Sequence, residues 1–406
     1  MSKKFSAPYC NAQIYKHIAA LLFPLYCKRT CNIKLFTLLV FIFVPLILFT
    51  GCWDSVDIQE RNIIVSVGID YLPEDDEYLL IVETASIRSI NMAEENTKTG
   101  STSILKGKGG NIADARQEID RGADFPIYLG STRVVIFTKR MAANGIESYL
   151  NRIRFLNEYR KTIDILTTDN EIEDLYGVKP ENDLSTGFEL EDTIYNLVKQ
   201  GQAARATAAD ILGSIALGRM GYVIPYIRVR DNAIKLSGYS IFKKSKQIEI
   251  IPVEKANGIV YMLNDKARAK YTVETDSNVY TFDVKLKNKK IKVSMRKGQP
   301  LIEISMKLNP TLTFSYYLES LPESKIKNLE NRINELIKDD IKYITDVSKK
   351  LNCDFLGFYK YFSAQHPDMA IETDWENIYR DAIVKINIES ALRQATLIDP
   401  DAQKPK

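Results

Sequence analysis

ESKIKNLENRINELIKDDIKYITDVSKKL, residues 323–351, is the longest helical pattern in the chain, and its reading decides the fold. Ile326, Leu329, Ile333, Leu336, Ile337, Ile341, Ile344, Val347 and Leu351 recur at three- and four-residue steps, which draws one apolar stripe along a helix. Such a helix would be about 43 Å long. The simplest use of the stripe is as a core face laid on a sheet. A groove for a partner helix is the sharper rival.

The sheet is predicted just upstream. From Ala233 the pattern turns to strands, over 234–242, 248–253, 258–263, 270–274, 280–286, 291–295 and 301–308, and Pro322 closes the ribbon. Asn288-Lys289 stands where a hairpin reversal is expected. Phe282, Val284 and Leu286 share one face. Lys285, Lys287, Lys289, Lys290, Lys292, Arg296 and Lys297 crowd the same ribbon. A solvated sheet face is the plain reading of these lysines, and a contact with acidic lipid headgroups the sharper one. Beyond the helix come Leu351-Asn352-Cys353-Asp354-Phe355, an aromatic run at 359–362, His366-Pro367, Trp375, a last strand over 382–388 and a polar tail.

Farther upstream, strand and helix alternate. Strands are predicted over 63–70 and 78–87, joined by the charged tip Glu74-Asp75-Asp76-Glu77. Those carboxylates lack the spacing and central glycine of a calcium loop. Residues 94–103 read as a polar loop. Gly107-Lys108-Gly109-Gly110 precedes a helix over 112–121, with Asn111 as N-cap. No phosphate-loop pattern is present, so the glycines are read as a tight approach turn. A strand over 133–138, a helix over 139–159 broken at Asn144-Gly145, a strand over 163–166 and a helix over 171–176 follow. Residues 178–190 look like an internal boundary. Residues 191–219 read as mostly helix, with an alanine-rich middle at 203–209 and weak points at Gly201 and Gly213. The expected class is α+β and multi-domain: a mixed α/β region over 52–187, a helical connector over 188–232, and over 233–398 an antiparallel sheet with a long packed helix, before a polar tail at 399–406.

The first 51 residues form a separate piece. Lys28, Arg29 and Lys34 precede an apolar run from Leu35 to Thr50, and Gly51-Cys52 follows at once. A basic flank, an apolar core and small residues before a break read as a secretory signal. The run is short against the roughly 20 apolar residues of a spanning helix, which is the rival reading. The stretch Leu48-Phe49-Thr50-Gly51-Cys52 resembles a bacterial lipobox, with Phe49 where leucine is usual. Cys52 would then be the lipid attachment site, as an N-palmitoyl, S-diacylglycerol cysteine, and the first residue of an exported body.

Charge and composition narrow the function. The formal charge of +3 rests on six basic side chains in residues 1–51, which hold no carboxylate; removing them leaves −3. No basic field remains to attract nucleic acid. Cys10, Cys27 and Cys31 fall in the signal, so Cys353 has no disulfide partner once Cys52 is lipidated. His17 and His366 are the two histidines, and His366 is read as a loop residue. One histidine in the body builds no Ser-His-Asp, Cys-His or zinc cluster. A non-enzyme with no metal and no cofactor is expected. A solute-binding lipoprotein that presents a small nutrient to a membrane partner is the runner-up; an envelope hydrolase ranks third, because no pair of carboxylates is singled out.

Several stretches together resemble the Ger(x)C lipoprotein family, the C subunits of spore germinant receptors. They are Gly51-Cys52-Trp53-Asp54, Val67-Gly68-Ile69-Asp70, Leu129-Gly130, residues 142–145, Leu236-Ser237-Gly238-Tyr239-Ser240-Ile241-Phe242, Asp354-Phe355-Leu356-Gly357, His366-Pro367 and Trp375. Ser390-Ala391 stands where family members often carry a glycine. The resemblance implies a lipid-anchored, non-enzymatic subunit on the outer face of the spore inner membrane. It also implies two polytopic membrane subunits as partners, with Trp53 and Asp54, and the helix over 323–351, as candidate contacts.

Overall fold

The structure, a computed structural model, describes residues 60–85, 102–178, 180, 185–317, 319 and 321–392. Cys52, Trp53 and Asp54 lie outside the described residues, as does the apolar run before them.

β-Branched runs build a large mixed sheet. β1 (Asn62–Leu72) and β2 (Glu77–Ala85) form the expected hairpin, and β3 (Thr102–Gly109) adds antiparallel to β2. α1 (Ile112–Gly122) and the short β4 (Ile127–Tyr128) lead to β5 (Val134–Thr138), which lies parallel to β1. α2 (Lys139–Asn144) and α3 (Glu147–Phe155) cross over to β6 (Asp164–Thr168), parallel to β5. α4 (Ile172–Gly177), α5 (Thr186–Lys199) and α6 (Ala208–Leu217) lead to β7 (Gly221–Arg230), parallel to β6. β8 (Ala233–Lys243) and β9 (Lys246–Pro252) finish it antiparallel, in the order β3-β2-β1-β5-β6-β7-β8-β9 with β4 on β1.

Parallel strands need crossovers, and the crossovers put helices on both faces. On one face Ile119, Tyr149, Ile153 and Ile211 pack with Val67, Val135, Phe137 and Ile165. On the other, Ile172, Leu175, Leu190 and Ile194 pack with Ile81, Ile136 and Leu166. Every residue of β5 and β6 is therefore buried.

The second sheet follows α7 (Asn257–Leu263). It contains β10 (Arg268–Glu274), β11 (Val279–Arg296) and β12 (Gln299–Ser315). After α8 (Glu323–Lys350), α9 (Phe358–Gln365), α10 (Pro367–Glu372) and α11 (Trp375–Tyr379), β13 (Ile383–Ser390) completes the order β10-β11-β12-β13. The stripe of α8 is core: Leu329, Ile333, Ile337, Ile341 and Ile344 are buried in one cluster with Phe282, Val284, Val293 and Ile304 of the sheet. A partner-helix groove along that stripe is thereby ruled out, because the stripe is already occupied.

The α+β, two-sheet architecture agrees with expectation, and several details do not. Residues 258–263 are helix α7, not a strand. Ile259, Val260, Tyr261 and Met262 are all buried, and periodicity cannot separate a short helix buried all round from a buried strand. Residues 280–286 and 291–295 are one strand, β11. In place of a reversal at Asn288-Lys289 there is a bulge between Leu286 and Asn288, and Lys289 turns inward to donate to the Met262 carbonyl at 2.6 Å. The chain reverses instead at Lys297-Gly298, with φ of 50° and 80°. β13 pairs parallel with β12, so the second sheet is mixed rather than antiparallel.

The alanine-rich residues are not helical up to Thr207. Gly201, at φ 79°, stops α5, and Ile165 N–H donates to the Ala206 carbonyl at 2.9 Å. Ala203, Ala204 and Ala206 are nonetheless buried, as close packing required. Gly107 and Gly109 lie in β3 rather than in a turn. A Cβ on Gly107 would sit 2.1 Å from the Ala115 carbonyl oxygen, so glycine is what lets α1 press on the strand. Around residue 233 the large sheet is continuous: β7 and β8 join through Asp231-Asn232, both at positive φ.

Candidate functional site

Two of the sequence motifs, Asp354-Phe355-Leu356-Gly357 and Trp375, meet at the seam between the two sheets. Asp354 sits just before α9. Its Oδ1 accepts the Phe358 N–H at 2.9 Å, and its Oδ2 accepts the Tyr359 N–H at 2.7 Å and Trp375 Nε1–H at 3.1 Å. The Asp354 carbonyl accepts Gly221 N–H at 3.1 Å, which ties the seam to β7. A Cβ on Gly221 would stand 2.2 Å from Cys353 Sγ. Trp375 stacks on Phe362, with centroids 5.2 Å apart, and on Tyr379 at 5.7 Å. Arg219 donates to the carbonyls of Ala370 at 2.7 Å and Thr373 at 2.6 Å, while Lys243 pairs with Glu376 at 2.6 Å. The cavity these residues line measures ≈ 20 Å³, room for about one water.

The electrostatics of the seam are those of a strut. Burial pushes the Asp354 carboxyl up to about 6 against its three hydrogen-bond donors. Burial first, then the neighbouring Asp354 charge, pushes the Cys353 thiol up to about 12. A thiol held protonated is a poor nucleophile, and its Sγ–H points at the Phe242 carbonyl at 3.4 Å. Cys353 is thus a small buried core residue. His366 is not a solvated loop residue: it joins α9 to α10, half-buried, with Nε2 3.1 Å from the Val293 carbonyl.

A second polar cluster lies at the carboxyl ends of the parallel strands, where open α/β sheets place ligands. Asp70, 1 % exposed, accepts from Thr138 Oγ1–H and from Arg140 Nε–H at 3.1 Å. Arg140 also donates to Glu171, with Nη1 to Oε1 at 2.8 Å. These two carboxylates raise the Arg140 pKa further. Beside them Arg228 Nε–H donates to Asp169 Oδ1 at 2.8 Å. A third polar knot is Glu83, 2 % exposed, which accepts Thr186 and Gly187 N–H at the start of α5, both at 2.9 Å. Burial raises its pKa against those bonds. The positive end of that helix is filled by the chain's own carboxylate.

Each of these charges has its partner inside the fold. Among the described residues no group of three or more His, Cys, Asp or Glu is placed to hold a metal, and no helix is long and apolar enough to cross a membrane. The tip Glu74–Glu77 is a turn whose Asp76 accepts the Tyr71 hydroxyl at 2.7 Å. The outward side of α8 is covered by charges paired along the helix, such as Arg332 with Glu335 and Lys342 with Asp346. A wider depression of ≈ 450 Å³ beside Tyr343 and Asp346 lies open to solvent on that side.

Sequence reasoning singled out Asp354 as part of a motif but not as the hub of the seam. An acidic residue four before an aromatic helix start was the available signal. Arg219 left no signal, because its acceptors are carbonyls some 150 residues away. Glu83 left none either, sitting mid-strand like any surface carboxylate.

Comparison with known proteins gives two adjacent family matches, which meet between β7 and β8 of the large sheet. Residues 54–229 match the family model described as "Spore germination protein N-terminal domain", and residues 237–395 match "Spore germination B3/ GerAC like, C-terminal". "Spore germination protein KC" of Bacillus subtilis (strain 168) is 19 % identical, over 91 % of this chain and 97 % of that protein. "Spore germination protein A3" of the same organism is 23 % identical over 63 % and 68 %, and "Spore germination protein B3" 20 % identical over 85 % and 94 %. The crystal structure of the GerBC protein superposes with a TM-score of 0.50 at 17 % identity, covering 81 % of this chain and 97 % of that one. That likeness concerns the fold.

Proposed function

The chain belongs to the spore germination family that these two domains define, and from that premise we propose that it is a non-enzymatic, lipid-anchored subunit of a nutrient germinant receptor. In this reading the body stands on the outer face of the spore inner membrane, beside two polytopic membrane subunits. The observation that carries it is the pairing of a family match on both sides of residue 233 with a lipobox-like stretch directly ahead of the matched region.

Anchoring is the work of Cys52. Burial of an acyl chain contributes about 0.8 kcal/mol per methylene, and one chain alone gives marginal binding, so the diacylglycerol group is what makes the tether durable. Trp53 and Asp54, next to the bilayer, are the candidate contacts with the membrane subunits. A non-catalytic role is supported by a buried thiol held protonated and by arginines and carboxylates spent on one another. The solute-binding alternative would need a cleft of several hundred Å³ that encloses its ligand, which the ≈ 20 Å³ seam cavity does not supply.

Cys52→Ala in sporulating cells tests the proposal. The expected result is release of the body to the soluble fraction, or accumulation of unprocessed precursor, with loss of the acyl mass on the amino-terminal peptide. Signal cleavage with full membrane retention in that variant would count against it. Calorimetry with amino acids and sugars separates the alternative: tight one-to-one binding by the protein alone would favour a solute receptor.

A further inference from the structure

The second sheet has one covered face and one open face. Phe282, Val284, Ile291 and Val293 of β11 point into the core, with Leu286 and Lys289 also turned inward, while Lys285, Lys287, Lys290 and Lys292 are exposed. On the open face the adjoining strands add Lys307 and Lys385. Register brings them together across the strands: Lys292 lies opposite Glu303, and Glu303 opposite Lys385. The carboxylates here are Glu303 and Glu389, and Glu389 is paired with Lys307 at 3.5 Å. Asp283 is taken by Arg268 of β10. Among the described residues Lys285, Lys287, Lys290 and Lys292 have no ion-pair partner. The chain beyond residue 51 is acidic in balance, so this face is a local excess of positive charge and not a reflection of composition.

We infer that this face lies against an anionic lipid surface. Two features choose lipid over an acidic protein. Protein interfaces are depleted of lysine and built on buried aromatic and arginine anchors, whereas the middle of this face carries lysine, serine and asparagine, and its exposed aromatics, Phe314 and Tyr316, stand at the far end beside Thr281 and Val279. A sheet face with long flexible ammonium arms suits a fluid layer of headgroups. Each lysine near such a surface multiplies partitioning about fivefold, and salt screens the effect. The contact would fix the orientation of a body that a lipid tether alone leaves free to turn, and in that sense it rests on the anchoring proposed above.

Amine acetylation followed by mass spectrometry tests it, with full-length lipidated protein in vesicles of phosphatidylcholine alone or with phosphatidylglycerol. Labelling of Lys290 and Lys292 should slow about tenfold on the anionic vesicles and recover in 0.5 M salt, while Lys342 on α8 labels alike on both. Lys290→Glu with Lys292→Glu should abolish protection at Lys285 and Lys287 without detaching the protein from neutral vesicles. Detachment from neutral vesicles would instead indict the anchor, which keeps the two failures apart. Equal labelling on both vesicle types overturns the inference. Protection in native spore membranes alone overturns it in favour of an acidic protein partner.

Discussion

The two sheets solve the burial problem differently. The large one carries parallel strands at its centre, so helices cover both faces and its middle strands are buried from end to end. The small one is covered on one face by α8 and the helices after it, and its strands alternate between buried aliphatics and exposed lysines. A sheet closed on both sides has no face left for a neighbour; it can supply stiffness. The open sheet is where the molecule can present a surface. The seam at Asp354 joins the two.

Removing a large side chain separates them first. In β5, Ile136→Ala and Phe137→Ala empty opposite faces, and each should cost about 2–5 kcal/mol in urea unfolding. A cost confined to one of the two would mean that one face of the large sheet is not packed. In the small sheet Ile304→Ala should cost the same, while Lys292→Ala should stay within about 0.5 kcal/mol.

The seam comes next. Asp354→Asn keeps the shape but turns a donor toward groups that need acceptors, and should cost about 2–3 kcal/mol at pH 7. The group's pKa stands at about 6 in the fold against 3.8 for the unperturbed side chain. Its contribution is therefore complete below about pH 3.8 and is lost as pH rises through about 6. The gap between wild type and variant should widen by up to about 3 kcal/mol from pH 7 to pH 4. A gap that narrows on acidification would show that the ionised form is the stabilising one.

The smallest effect on stability sharpens the contrast most. Charge changes at Lys290 and Lys292 should leave the unfolding midpoint unmoved and act on surface behaviour alone. A clear loss of stability there would give the open face a structural role and erase the distinction between the sheets.

Much of this was legible from residues alone. Apolar steps of three and four gave α8 and its buried side, β-branched runs gave β1, β5, β6 and β8, and Asn111 gave the start of α1. Short buried segments were not legible. Residues 257–263 and the glycines of β3 take their form from what presses on them. Lys289 shows the same limit: its neighbours fixed a ribbon rich in lysine, but only the bulge turned this one inward.

Sequence by itself therefore determined the class, the long helix, the lysine-bearing strands and the family likeness, because each is written in local spacing. Tertiary structure alone decided that β13 runs parallel to β12, that β8 and β9 complete the large sheet, and that Asp354, Arg219 and Trp375 meet. Apart from the hairpins of β7, β8 and β9, those are contacts across 21 residues, for Asp354 with Trp375, to 154, for Arg219 with Thr373. A hydrogen bond to a distant carbonyl imposes no pattern on the side chains in between.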